Sequence, residues 1–176
     1  MRRYRLASAL AAGLACASYA APAKADVCTR AIVRVSAETG VPIRLLWAIA
    51  NVESRMAGKP SPYAVNDAEG RAHYFRSAAA AHDFVARAIR AGDRNLDIGC
   101  MQLNWRWHGQ NLPSIAHAFD PYTNVKYAAG YLADLRRETG SWSSAVAFYH
   151  SRQRGRGEAY QCRVVAALTS KGADGC

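Results

Sequence analysis

Along most of the chain, apolar positions recur at the three-and-four spacing of a buried helix face, interrupted at intervals by Gly and Pro. Ile32, Val33 and Val35 lie in a stretch from Thr29 to Glu38 that stops at Gly40, a residue suited to a helix C-cap. Pro42 opens a second helix reaching about Arg55, because the first helical position needs no N–H. From Met56 to Gln110 the helical period lapses. Pro60 and Pro62 exclude a helix, and Tyr63-Ala64-Val65 and His73-Tyr74-Phe75 flank Asn66-Asp67-Ala68-Glu69-Gly70, the pattern of a small β-hairpin. Two short strands are unstable alone, so the hairpin must lean on the helical body. Ser77 caps a helix to about Arg90 with Phe84, Val85 and Ala88 inward, and Asn124 is expected to cap another to about Arg137, closing at Gly140. Ser141 starts the next, with Tyr149 near its end. Glu158 to Ser170 reads as a last helix carrying Cys162, Val165 and Leu168.

The second helix holds the most informative position. Leu46, Ile49 and Ala50 form its apolar stripe, and Glu53 stands seven, four and three residues further on, so its carboxylate shares the inward face. Desolvation there disfavours the charged form unless the group is paired or protonated. One reading is a general acid whose pKa is raised by apolar surroundings. The other is a helix-terminal Glu paired with Arg55 or another basic neighbour, and the helix alone leaves both open.

Composition and charge narrow the setting. A length of 176 residues suits one domain, and 51% hydrophobic against 20% charged residues excludes wholesale disorder. Arg2, Arg3 and Arg5 precede an Ala-rich apolar stretch from Leu6 to Ala20, then Ala23-Lys24-Ala25, a small-x-small cleavage pattern. Residues 1–25 therefore read as a secretory signal peptide and 26–176 as a single domain, exported to the periplasm or beyond, with no transmembrane segment after the leader is removed. The excess of 23 basic over 13 acidic residues falls to 19 over 13 with the leader gone, a balance that still favours anionic partners. Cys28, Cys100, Cys162 and Cys176 remain, an even number that suggests two disulfides in any of three pairings; one expectation is that Cys162 joins Cys100 or Cys28. Their wide spacing does not fit zinc. His73, His82, His108 and His117 follow no ligand spacing, so no metal or cofactor is expected.

Three segments carry a resemblance: Ala-Ile-Ala-Asn-Val-Glu53-Ser54, then Gly99-Cys100-Met101-Gln102-Leu103-Asn104, then Ala145-Val146-Ala147-Phe148-Tyr149-His150. In this order they resemble the soluble lytic transglycosylases (SLT type), over about Thr29 to Leu168, and in particular small exported members associated with envelope-spanning secretion systems. The resemblance implies a mainly α, lysozyme-like helical fold with a small β-hairpin insertion, and cleavage of peptidoglycan. Residue by residue, it implies Glu53 as the single catalytic acid/base and Tyr149 as the tyrosine that orients it. It further implies Ser54, Gly99, Met101, Gln102 and His150 as substrate-binding positions. Cys100 replaces the family's Leu, Phe148 its Ala and His150 its Asn. The long interval between Glu53 and Gln102 holds the hairpin and the Ser77–Arg90 helix, which are expected to form one wall of the cleft.

Glycoside hydrolysis normally uses two carboxylates. The implied reaction uses one: Glu53 protonates the glycosidic oxygen after N-acetylmuramic acid, then removes the proton from that sugar's C6 hydroxyl, which closes on C1 as a 1,6-anhydro ring. A rival is a water-using muramidase with Asp97 as second carboxylate; Asp67 and Asp93 fit turn and cap roles better. A rival of another class is a non-catalytic peptidoglycan-binding secretion scaffold, for which Trp105, Trp107 and His108 would suit sugar stacking. A nucleic-acid binder has only the charge in its favour, with Arg152, Arg154 and Arg156 as its best patch. In an exported protein that patch reads as a rim loosened by Gly155 and Gly157, meeting anionic wall polymers or stem-peptide carboxylates.

Overall fold

The computed structural model describes residues 26–169. The expected leader and Cys176 lie outside them. Helix α1 (Val27–Thr39) begins at Asp26, whose carboxylate accepts from Thr29 N at 2.9 Å, and ends at Gly40 in the left-handed region. Helix α2 (Ile43–Ser54) follows Pro42. A ribbon of β1 (Arg55–Met56) and β2 (Lys59–Pro60) leads to β3 (Ala64–Asn66) and β4 (Ala72–Tyr74), the anticipated hairpin. After α3 (Ala78–Arg90) come β5 (Asp97–Ile98) and β6 (Leu103–Asn104), a second hairpin that adds to the first, giving the antiparallel order β4-β3-β5-β6. Short helices α4 (Trp105–His108) and α5 (Ile115–Phe119) then precede α6 (Pro121–Thr139), α7 (Trp142–His150) and α8 (Arg154–Thr169). The result is the mainly α, lysozyme-like domain with a small antiparallel sheet that the sequence predicts.

Five helices close a circuit of contacts: α1 on α2 and α6, α6 on α7, α7 on α8, and α8 on α2. Ile32, Val35, Leu46, Ile49, Leu132 and Leu135, each at most 1% exposed, fill its interior. Removing that much aliphatic surface from water, at about 1.5–3 kcal/mol per side chain, is the main force holding the bundle. Among the described residues no helix is long and apolar enough to cross a membrane.

Four expectations change. Asn124 does not cap α6: Asp120 does, its carboxylate accepting from Thr123 N at 2.8 Å, while Asn124 lies one turn inside and fully buried. On α8 the inner stripe is Gly157, Tyr160 and Val164; Val165 is 46% exposed. Gly155 and Gly157 do not loosen a rim, since both stand within α8. A Cβ on Gly157 would come within 2.7 Å of Ser151 O and 3.0 Å of Ala147 O, so its lack of a side chain lets α8 close onto the end of α7. Finally, Cys28 pairs with Cys100 across 72 residues, which rules out either as the partner of Cys162; Cys162 is itself disulfide-bonded.

Candidate active site

Where α2 ends against the sheet, a cleft of about 950 Å³ opens between two walls. Val52 and Glu53 lie at its base. The sheet side contributes Asn66, Asp97, Gln102 and Asn104; the helical side contributes Tyr131, Tyr149, His150 and the arginines of the α7–α8 corner. Helix α3 supplies no lining residue. It packs on β3 and α5, with Phe84 4.6 Å from the His73 ring, so it backs the sheet instead of facing the cleft as expected.

Glu53 is half-buried and opens onto the cleft. The Tyr160 hydroxyl donates to its Oε1 at 2.5 Å. Desolvation by the surrounding protein pushes its pKa up to about 7; the Tyr160 bond and the charge of Arg163 oppose this, and the charge of Asp97 adds to it. The two protonation states are therefore nearly balanced at neutral pH. Arg55 is exposed and makes no ion pair with Glu53, which disposes of the helix-terminal pairing reading.

The phenol on the glutamate is Tyr160, and the hydroxyl of Tyr149 donates instead to Met101 O at 2.9 Å. Tyr149 remains at the site, its ring 6.5 Å from that of Tyr160, but it holds the neighbouring loop. His150 stacks on the Tyr160 ring at 4.5 Å with only 6° between planes. It thus supports the residue that touches Glu53.

The Gly99–Gln102 segment is the turn of the β5–β6 hairpin, and it is tied down from five directions. Ser54 Oγ donates to Cys100 O at 2.8 Å, Asn124 Oδ1 accepts from Met101 N at 2.8 Å, and Gly99 N donates to Ala64 O at 2.9 Å. Tyr149 supplies the fourth tie and the Cys28–Cys100 disulfide the fifth. Asn124 Nδ2 also donates to Ile98 O and Ala118 O, both at 2.9 Å, so all three of its bonds brace the hairpin or its neighbour α5. Gly99 is required here: its φ is +83° and a Cβ would meet Asn124 Nδ2 at 2.6 Å. Gln102 adopts φ +49° and turns its amide back to Gly99 O and Ala64 O.

Of the residues expected to bind substrate, Gln102 and His150 line the cleft. Ser54, Gly99 and Met101 do not: Ser54 and Met101 are fully buried, and all three shape the loop from behind. Trp105 is core, while Trp107 is 63% exposed at the cleft edge and His108 bonds to the Tyr127 hydroxyl at 3.0 Å. Asp97 lines the cleft, accepts from Asn104 Nδ2 at 2.8 Å, and has a pKa raised by burial. Asp67 keeps its turn role: His73 and Arg71 hold its carboxyl far below the usual range. Among the described residues no three His, Cys, Asp or Glu side chains converge as metal ligands.

Tyr160, Asn124 and Arg163 were missed. The Gly157-Tyr160-Val164 spacing could have exposed Tyr160, but a glycine adds nothing to a hydrophobic stripe. Asn124 carries no signal in sequence, because an Asn one turn into a helix reads equally well as its cap.

A model of one family, described as the transglycosylase SLT domain, matches residues 31–159. Neither the comparison with curated proteins nor that with solved structures returns a match.

Proposed function

Because the chain belongs to the transglycosylase SLT family, whose members degrade peptidoglycan as lytic transglycosylases, we propose that it cleaves the bond between N-acetylmuramic acid and N-acetylglucosamine with 1,6-anhydro ring formation. Glu53 is the single acid/base. Its protonated carboxyl donates to the glycosidic oxygen as the C1–O bond breaks. The resulting carboxylate takes the proton of the C6 hydroxyl, whose oxygen bonds to C1, so Glu53 ends as it began and no water is consumed. The observation that carries this reading is a carboxyl at the cleft base with a pKa of about 7 under a phenol donor. Such a group supplies the acid and accepts the proton back near one pH. The C6 oxygen belongs to the reacting sugar, and that proximity replaces a second protein carboxylate.

Asp97 supports a second reading, a muramidase, because it lines the same cleft and its charge acts on Glu53. The bond that Asn104 donates weakens its carboxylate as a base, whereas burial, which raises its pKa, strengthens it; the reading ranks second because the family's members are lytic transglycosylases. The scaffold reading has no use for a glutamate held in this state. The Cys28–Cys100 disulfide supports export to an oxidising compartment, in line with the reading of residues 1–25 as a leader. Recruitment by an envelope-spanning secretion apparatus rests on the sequence resemblance alone.

Digestion of purified peptidoglycan by the chain from Asp26 onward, with products weighed by mass spectrometry, tests the reaction. Muropeptides lighter by one water than reducing-end sugars are expected, with Glu53→Gln slower by about 10³-fold. Reducing ends abolished by Asp97→Asn would establish the muramidase. Sacculus binding without any product would favour the scaffold.

A further inference from the structure

The face of α8 that brings Tyr160 to Glu53 carries two more side chains into the cleft. Arg156 and Arg163 stand four residues before and three after Tyr160, on one helical stripe, and both line the cleft. The neighbouring basic residues are engaged: Arg152 holds Glu138 with both terminal nitrogens at 2.5 and 2.8 Å, and Arg154 holds Glu158 at 2.9 Å. Among the described residues, neither Arg156 nor Arg163 has a carboxylate within ion-pair distance. Both are exposed, and the Arg163 guanidinium stacks 5.4 Å from the Tyr160 ring centre. Their charges reach inward, since both help to lower the pKa of His150, and Arg163 favours the Glu53 carboxylate. The sheet-side wall carries no lysine or arginine; Asn66, Gln102 and Asn104 offer amides there. The cleft is therefore electrostatically lopsided, with amides and the Asp97 carboxyl on one side and guanidinium groups without an ion pair on the other.

Peptidoglycan has the same asymmetry. N-acetylglucosamine is neutral, whereas each muramic acid bears at C3 a lactyl arm that ends either in its own carboxylate or in a peptide stem with carboxylates. We propose that Arg156 and Arg163 form a wall that reads the carboxylates of this C3 arm. The proposal rests on the reading that peptidoglycan occupies this cleft. Seven residues of helical rise set their Cα atoms about 10 Å apart along the axis, so that two arginines can engage two points on an extended arm. Arginine suits the task, because its planar fork pairs with carboxylate through two parallel bonds.

The test is binding by the Glu53→Gln protein, which leaves the strand uncut. Three soluble glycans are compared: strands with peptide stems, strands stripped of stems by an amidase and so bearing free lactyl carboxylates, and chitooligosaccharides with neither. Both anionic strands are expected to bind about 10-fold more tightly than the neutral one, a gap that narrows as salt rises from about 50 to about 300 mM. Adding Arg156→Gln and Arg163→Gln should close most of the gap, and Lys at both positions should restore part of it. Tighter binding of stem-bearing than of stripped strands assigns the contact to stem carboxylates, and equal binding to the lactyl group. The proposal is overturned if all three glycans bind alike, if the gap survives the Gln pair, or if that pair weakens chitooligosaccharide binding as much as the others, which would mark damage to Tyr160. An unmutated protein that releases no product from sacculi would overturn the proposed reaction, while the affinity ranking would still decide this point.

Discussion

The two walls of the cleft are built on different principles. The sheet wall ends in the Gly99–Gln102 turn, where backbone groups are held by Ser54, Asn124, Tyr149, Ala64 and a disulfide. The helical wall is made of side chains, among them Tyr131, Tyr149 and His150 and, on one stripe of α8, exposed arginines on either side of the buried Tyr160 phenol. A mutation in the first removes bonds from buried groups that cannot reach water; a mutation in the second mostly exchanges a protein contact for a solvent one. One wall is a fixed frame, and the other is where charge and protonation are set.

The largest predicted effect lies in the frame. Asn124→Ala strands Met101 N–H and the carbonyls of Ile98 and Ala118 in the core, and should cost about 3 kcal/mol in denaturant unfolding. A loss below about 1 kcal/mol would mean that the turn is held without it. Next is the penalty at Glu53. Its folded pKa of about 7 lies above the ordinary 4.5, so the folded state binds the proton more tightly than the unfolded one. The stability of the protein should therefore fall as pH rises from about 4.5 to 7 through this group, and Glu53→Gln should be more stable than the parent at pH 8 by on the order of 2 kcal/mol while matching it at pH 4. Equal stability at both pH values would refute the desolvated state of Glu53.

The two tyrosines divide the walls more finely. Tyr160→Phe removes a donor to the Glu53 carboxylate, a bond that lowers its pKa. The protonated acid should then persist to higher pH, moving the alkaline limb of kcat/KM upward while the maximal rate falls about tenfold. Tyr149→Phe removes only the bond to Met101 O. It should cost about 1 kcal/mol of stability and leave the limb where it is. If the limb moves with Tyr149 and not with Tyr160, the assignment of the phenol is reversed. The smallest effect is expected at Arg154→Ala, which breaks an exposed i,i+4 pair with Glu158. Stability should change by less than about 0.5 kcal/mol, and glycan binding should be unaffected.

Much was legible in advance because it depends on local rules. Ser77-Ala78 and Ser141-Trp142 are helix starts with a capping oxygen, and α1 and α6 both end on a glycine in the left-handed region. Glu53 was located by its phase against Leu46, Ile49 and Ala50, which are all fully buried. The first hairpin followed from turn residues between β-forming runs. The second was missed, since Asp97-Ile98 and Leu103-Asn104 are too short for any alternation and pair only because β3 offers an edge.

By itself the sequence determined the helical periods, the caps at Ser77, Ser141, Gly40 and Gly140, and an acid facing inward, all of which arise from neighbours within a turn or two. Only the tertiary structure decided that Cys28 meets Cys100, that Asn124 is a brace and not a cap, and that Tyr160 instead of Tyr149 reaches Glu53. Glu53 and Tyr160 are 107 residues apart, and their contact depends on the circuit of helices that sets α8 against α2. Periodicity fixes the face on which a side chain lies, but which face meets which is settled when the whole core packs.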